Sequence, residues 1–278
     1  MIKLGMIQTL QIIKKVEFGV YLGDGEDREE RVLLPKKQVP EQARMGDEIE
    51  VFVYRDSKDR LIATVHTPKL TLHSVARVRV AQVAKVGAFL DWGLEKDLLL
   101  PYKEQTRKVS EGEECLVALY IDKSNRLCAT MNVYPYLSTE SPYGKEDRVS
   151  GTVYEISDNF GAFVAVDDKY SGLIPKKELY GTVRIGDVIQ ARVTGVKEDG
   201  KLNLSIREKA YLQIEIDAQR VMEIIQSFDG VLPFTDKASP EVIRRETQMS
   251  KNEFKRAVGH LLKEGRIQIT ERSIRAKV

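Results

Sequence analysis

Three segments of the chain can be laid over one another, and this repeat limits the fold more than any other feature. The first runs Phe18-Gly19-Val20-Tyr21-Leu22, Leu33-Leu34-Pro35, Gly46-Asp47 and Asp59-Arg60-Leu61-Ile62-Ala63-Thr64. The second runs Val86-Gly87-Ala88-Phe89-Leu90, Leu99-Leu100-Pro101, Gly112-Glu113 and Asn125-Arg126-Leu127-Cys128-Ala129-Thr130. The third runs Phe160-Gly161-Ala162-Phe163-Val164, Leu173-Ile174-Pro175, Gly186-Asp187 and Gly200-Lys201-Leu202-Asn203-Leu204-Ser205. Proline to glycine spans 11 residues in every copy, and the first glycine to the proline spans 16, 14 and 14. The two extra residues of the first copy fall in Asp24–Glu30, an acidic stretch where a loop tolerates insertion. A chain with this self-similarity builds one small unit three times rather than one large core.

Each unit reads as five short strands. In the third copy they fall near residues 148–156, 160–166, 172–175, 187–196 and 201–207, rich in Val, Ile, Tyr and Phe. Hairpin turns are expected at Asp158-Asn159 and Glu198-Asp199-Gly200, and a bulge or sharp bend at Gly161. About 65–70 residues with five strands and a bend is the size of an OB-type barrel. Thr67-Pro68-Lys69 separates the first two copies, and residues 141–147 link the second to the third. The expected fold is mainly β and multidomain. Three tandem OB-fold barrels over 1–66, 67–137 and 145–209 precede an α+β winged-helix domain over 210–278.

That last region switches to helical spacing. Ile214, Ala218, Val221, Ile224 and Ile225 share one face, and the helix ends at Phe228-Asp229-Gly230. Ser239-Pro240 opens a second helix, with Ser at the N-cap and Pro at the first turn. Ser250 and Glu253 make a capping box for a third helix, Lys251–Lys263, with Phe254, Val258, Leu261 and Leu262 expected inward and Gly265 as its stop. Residues 266–269 and 273–275 read as a two-stranded wing.

Catalysis and metal binding find little support. The cysteines, Cys115 and Cys128, and the histidines, His66, His73 and His260, are not grouped at ligand spacing. Cys115 falls where the other copies have Ile49 and Ile189, so it is expected in the core. No nucleotide loop, carboxylate cluster or nucleophile elbow is present, and small binding modules use up the whole length. We expect no enzyme, no cofactor and no metal. No apolar run reaches the length of a membrane span, and the N-terminus does not read as a secretory signal, so the expected location is the cytoplasm. Net charge is only +2, yet residues 242–278 hold ten Lys and Arg against four Asp and Glu, the footprint of a polyanion contact.

Read together, the third copy from Val149-Ser150-Gly151-Thr152-Val153 to Leu202-Asn203-Leu204-Ser205 closely resembles the S1 RNA-binding motif, and the first two copies resemble degenerate versions. Three such repeats before a winged helix, with Met249-Ser250-Lys251-Asn252-Glu253-Phe254 in the latter, resemble the conserved virulence factor B family of Gram-positive bacteria. The S1 resemblance implies two aromatics stacking on bases and a basic residue contacting phosphate. Those positions are Phe160, Phe163 and Lys201 in the third copy, Phe18, Tyr21 and Arg60 in the first, and Phe89 and Arg126 in the second, whose first aromatic is Val86. Two departures stand out. Pro35, Pro101 and Pro175 replace a histidine common in the motif. Asp56 and Asp122 keep its aspartate, where the third copy has Lys197, which makes that face more basic.

The expected function is a single-stranded RNA-binding regulator acting post-transcriptionally, since an aromatic platform can stack on any base. In the winged helix, Lys251, Asn252, Lys255, Arg256 and Lys263 would meet nucleic acid, because the third helix of such domains enters a groove. Duplex nucleic acid and the ribosome are further candidate partners; a membrane is not. The alternatives are a winged-helix transcription regulator reading duplex DNA and an accessory subunit of an RNA-processing enzyme.

Overall fold

A computed structural model describes residues 1–24, 30–179, 183–206 and 210–277, with side chains of the last segment from residue 214 onward. Residues 25–29, in the expected insertion, and 207–209, at the expected junction before the helices, lie outside the described residues. The chain divides into two compact units, residues 1–206 and 207–278.

The first unit holds the three repeats. The first comprises β1 (Ile7–Val16), β2 (Gly19–Gly23), β3 (Val32–Pro35), β4 (Glu48–Arg55) and β5 (Leu61–Thr64), closed in the order β1-β2-β3-β5-β4. The second comprises β6 (Val75–Ala84), β7 (Gly87–Asp91), β8 (Leu98–Pro101), β9 (Glu114–Ile121) and β10 (Leu127–Thr130). The third comprises β11 (Arg148–Ser157), β12 (Gly161–Val166), β13 (Tyr170–Pro175), β14 (Val188–Val196) and β15 (Leu202–Ser205), closed like the first. Parallel pairing of the third strand with the fifth completes closure, at Leu33–Ile62 and at Gly172–Leu202 and Leu173–Asn203. In the second repeat β8 and β10 lie side by side but the sheet, ordered β10-β9-β6-β7-β8, is not closed.

Strand alternation fills each barrel. Leu10, Ile12, Val20, Leu22, Leu34, Ile49, Val51 and Val53 point inward in the first, and Val78, Val80, Ala88, Leu90, Leu100, Cys115, Val117 and Leu119 repeat the set in the second. Cys115 therefore sits in the core, as its alignment with Ile49 implied, and Cys128 is buried too. The expected bulge at Gly161 is displaced. The register shifts in the first strand of each repeat instead, between Ile12 and Lys14, Val80 and Gln82, and Val153 and Glu155. The glycine marks a close crossing. Gly19, Gly87 and Gly161 have φ of +154°, +148° and +119°, and a Cβ there would run into the carbonyl oxygen of Leu34, Leu100 or Ile174 on the next strand. Only glycine fits both demands.

The fourth strands explain how the barrels join. In β14 burial alternates, leaving Gln190 exposed and Arg192 and Thr194 half-buried on the outer face. In β4 and β9 the outer face is apolar as well, so residues 51–54 and 115–119 are buried without interruption. Phe52 and Tyr54 leave the first barrel to pack on Trp92 of the second, with Phe52 and Trp92 ring centroids 5.6 Å apart. Leu116 and Ala118 of β9 meet Tyr154 and Ala165 of the third barrel, together with Val133 and Leu137 of the connection. Each fully buried side chain of this size contributes roughly 1.5–3 kcal/mol.

The second unit holds α1 (Ala210–Ser227), β16 (Val231–Leu232), α2 (Pro240–Thr247), α3 (Lys251–Lys263), β17 (Ile267–Ile269) and β18 (Ile274–Ala276). Its caps follow the sequence. The Ser239 hydroxyl accepts from the Val242 amide, and Ser250 and Glu253 exchange both bonds of a capping box. Two expectations need correction. The wing is a three-stranded sheet ordered β16-β18-β17, because Val231 and Leu232 pair with Arg275 and Ile274; two residues are too few to show a period. Leu262 is 46% exposed, and Ala257 takes the inward place. With Phe254, Val258 and Leu261 setting the buried face, a residue one step past Leu261 is turned about 100° away from it. Among the described residues no helix is long and apolar enough to cross a membrane.

Candidate functional site

The third barrel gathers the richest set of candidate side chains. Phe160 closes the turn between β11 and β12, where its carbonyl accepts from the Lys176 amide (3.0 Å) and its amide donates to the Ser157 hydroxyl (3.4 Å). It is 63% exposed. Phe163, on β12, meets it edge-on with centroids 6.4 Å apart. Both rings thus share a face, but they are not equally free. Phe163 is half-buried and leans on Tyr154 and the seam between the second and third barrels. Beside the rings lies a cleft of about 200 Å³, whose walls include Tyr134, Phe160, Phe163, Leu173, Lys197 and Lys201. Four residues chosen from the sequence therefore converge from two separate segments, β11–β12 and the β14–β15 hairpin.

That hairpin explains the lysines. The Lys197 amide donates to the Lys201 carbonyl and the Gly200 amide to the Lys197 carbonyl, both at 2.9 Å. In the first two repeats an aspartate stands at the Lys197 position and caps the same turn. Asp56 Oδ1 accepts from the Lys58 and Arg60 amides, and Asp122 Oδ1 from those of Ser124 and Arg126, at 2.8–3.0 Å. The aspartate is therefore a turn-former, and its loss in the third repeat frees an exposed cation, Lys197. Asp199 partly compensates: its carboxylate accepts from Lys201 Nζ at 2.7 Å. The ammonium's hydrogen bond holds the Asp199 carboxyl below the usual range, and the same bond raises Lys201 above its ordinary value. Lys201 Nζ lies 5.7 Å from the Tyr134 ring centre. Tyr134 was not picked from the sequence, because it belongs to the connection after β10 and not to the repeat.

The other two faces differ. In the first barrel Phe18 is 57% exposed and meets the half-buried Tyr21 edge-on at 6.5 Å. Arg31, which the sequence did not single out, sits 4.9 Å over the Tyr21 ring. Arg60 is engaged in a two-point contact with Asp56 Oδ2, at 2.6 and 2.9 Å. Burial pushes the Asp56 carboxyl up, but the Arg60 bonds outweigh it and leave it lowered. In the second barrel Phe89 and Arg126 do share a cleft, of about 250 Å³, yet its other wall is the β4–β5 hairpin of the first barrel. Arg55 donates to the Asn125 carbonyl (3.0 Å), Lys96 donates to that of Asp56 (2.9 Å), and Arg126 pairs with Asp59 (3.3 Å). Where the other repeats offer an exposed phenylalanine, Val86 stands.

In the second unit Asn252, Lys255, Arg256 and Lys263 are exposed on α3 and Lys251 is half-exposed. Positions 252, 256 and 263 follow helical spacing and share a face. Exposed Arg272 and Arg275 on the wing add cations beyond those expected on the third helix. His260 pairs with Glu264 at 3.2 Å on the helix surface. Among the described residues no group of three or more His, Cys, Asp or Glu could hold a metal ion.

Comparison with known proteins places these modules. Residues 4–66 and 74–132 match the S1 domain family. Residues 137–208 match the family described as the second domain of the virulence regulatory factor CvfB, and 219–275 the CvfB-like winged helix domain. The Bacillus subtilis protein YitL is 33% identical, covering 95% of this chain and 90% of that protein. Conserved virulence factor B of Staphylococcus epidermidis is 30% identical, covering 95% and 92%. A crystal structure of a multidomain protein with nucleic acid binding domains from Streptococcus pneumoniae is 26% identical with a TM-score of 0.50, covering 99% and 98%. On the matches over its barrels and winged helix, and on relatives aligned along almost its whole length, the chain belongs to the conserved virulence factor B family.

Proposed function

We propose that this protein is a non-enzymatic cytoplasmic regulator of gene expression that binds single-stranded RNA, chiefly on the third barrel, and acts after transcription. The observation that carries the reading is the cleft where Phe160 and Phe163 stand beside Lys197 and Lys201. Exposed rings can stack on unpaired bases at roughly 1–3 kcal/mol each, and lysines at the rim neutralise phosphates. A double helix hides its base faces and could not use the rings. Membership of the S1 domain family over two repeats, and the nucleic acid binding domains of the pneumococcal relative, point the same way. The first barrel, with Phe18, Tyr21 and Arg31, offers a secondary platform, and the second barrel serves as a spacer.

The basic face of α3 supports a second reading, in which the winged helix docks on duplex nucleic acid. One titration separates the two. Full-length protein is titrated with a fluorescent 12-nucleotide single-stranded RNA and, separately, with duplex DNA of equal length. The single strand is expected to bind more tightly, and tighter binding of the duplex would overturn the lead reading.

A further inference from the structure

Tyr134 lies outside the repeat pattern and outside residues 137–208, the segment matched by the family's second domain. It is nonetheless part of the wall of the third barrel's cleft, with Phe160, Phe163, Lys197 and Lys201. We infer that Tyr134 is a third stacking residue, so that the connection leaving the second barrel completes the binding surface of the third. This rests on the proposed binding of single-stranded RNA.

The surroundings of the ring separate a ligand role from a packing role. Tyr134 is 46% exposed, whereas Val133 is fully buried and Leu137 is 9% exposed in the seam between the barrels. A single helical turn links them, with the Tyr136 amide donating to the Val133 carbonyl (2.9 Å) and the Leu137 amide to the Tyr134 carbonyl (3.3 Å). The buried neighbours hold the backbone, and the ring is left half in solvent. Such a platform loses little rotamer freedom when a base settles on it. Further along the connection, Thr139 lies against Gly200, where a Cβ would strike the Thr139 carbonyl. The connection is thus pinned to the hairpin that carries both lysines. The entry to the second barrel is built differently. Four residues after the last strand's threonine, the chain there has Pro68, which is buried, where the later connection has Tyr134. The connection into the second barrel thus places no aromatic at the position that Tyr134 takes before the third.

The test uses full-length protein and the 12-nucleotide RNA. A lost stack should weaken binding about 5- to 150-fold. Tyr134→Ala and Tyr134→Leu are expected to do so, while Tyr134→Phe should stay within about threefold of the parent, because it keeps the π-face. Leucine fills space without stacking, so recovery of affinity by Tyr134→Leu would assign the ring to packing and overturn the inference. Tyr134→Trp adds a second readout. The native Trp92 is only 2% exposed, so emission quenched by RNA in this variant alone supports contact at position 134, and unquenched emission argues against it. Phe160→Ala is measured in parallel. If it weakens binding while Tyr134→Ala does not, the inference alone fails. If neither variant weakens binding, the reading of the cleft fails with it.

Discussion

Phe160 and Phe163 are one motif in sequence and two situations in the fold. Phe160 is 63% exposed at the end of a turn, with Phe163 as its ring contact. Phe163 packs against Tyr154 and the seam. Phe160→Ala should therefore weaken RNA binding by roughly 1–3 kcal/mol and change folding stability by less than about 0.5 kcal/mol. Phe163→Ala should lose comparable affinity and also cost about 1–3 kcal/mol of stability, below the roughly 3–5 kcal/mol of a fully buried phenylalanine. RNA titration and urea unfolding of both variants check this; equal stability losses would contradict it. The cysteines give a second expectation at this scale. Burial pushes both thiols up to about 11. A raised thiol is protonated below its pKa, so at pH 8 only about one thiol in a thousand is a thiolate. Iodoacetamide should then modify neither cysteine in the native protein over an hour and both in 6 M guanidinium, as read by mass spectrometry. Rapid native labelling would show that the barrel opens.

At the scale of an element, the glycine after each turn decides whether the second strand can lie against the third. Gly161 combines φ of +119° with a carbonyl, that of Ile174, where a Cβ would stand. Gly161→Ala must bear both the strained dihedral, about 1–3 kcal/mol, and a shift of β13 away from β12. The variant is expected to lose at least about 2 kcal/mol in thermal or urea unfolding. It should also weaken RNA binding, since β12 carries Phe163 and β13 carries Leu173. Unchanged stability would contradict the close crossing of β12 and β13. The β14–β15 turn teaches a complementary lesson. Asp56 and Asp122 are explained by the amide groups they cap, so the change to Lys197 alters charge without altering the hairpin.

Across the whole molecule, the barrels are not three equal sites. The outer faces of β4 and β9 are spent on the seams, the second barrel's cleft is walled by the first barrel's hairpin, and the third keeps an open cleft. Cations at that cleft and on α3 give the proposed RNA binding a measurable signature. Each phosphate contact on a single strand adds about −0.7 to the slope of log affinity against log salt. Affinity should fall steadily from 50 to 300 mM KCl, and Lys197→Ala should make the slope shallower by about 0.7. A flat profile would remove the electrostatic part of the proposal.

Local patterns along the chain suffice for the number of barrels, their inward faces and the capped helices. These follow from period-two and period-3.6 patterns and from turn residues, which act over ten residues or fewer. Cys115 could be placed beside Ile49 by alignment alone, and Ser250 with Glu253 as a capping box needed nothing beyond four residues. Which outward faces stay open is set by how the barrels dock on one another. Alternation says that a side chain leaves its barrel, but not whether a neighbour covers it. Phe163, Phe89 and Phe52 all point out of a barrel, yet one lines an open cleft, one faces a cleft walled by another barrel and one is buried in a seam. Uninterrupted apolar runs in β4 and β9 were the readable sign of those seams. Tyr134 had no such sign: its place beside Lys201 depends on how the second barrel docks on the third, a contact between residues 67 positions apart in the chain.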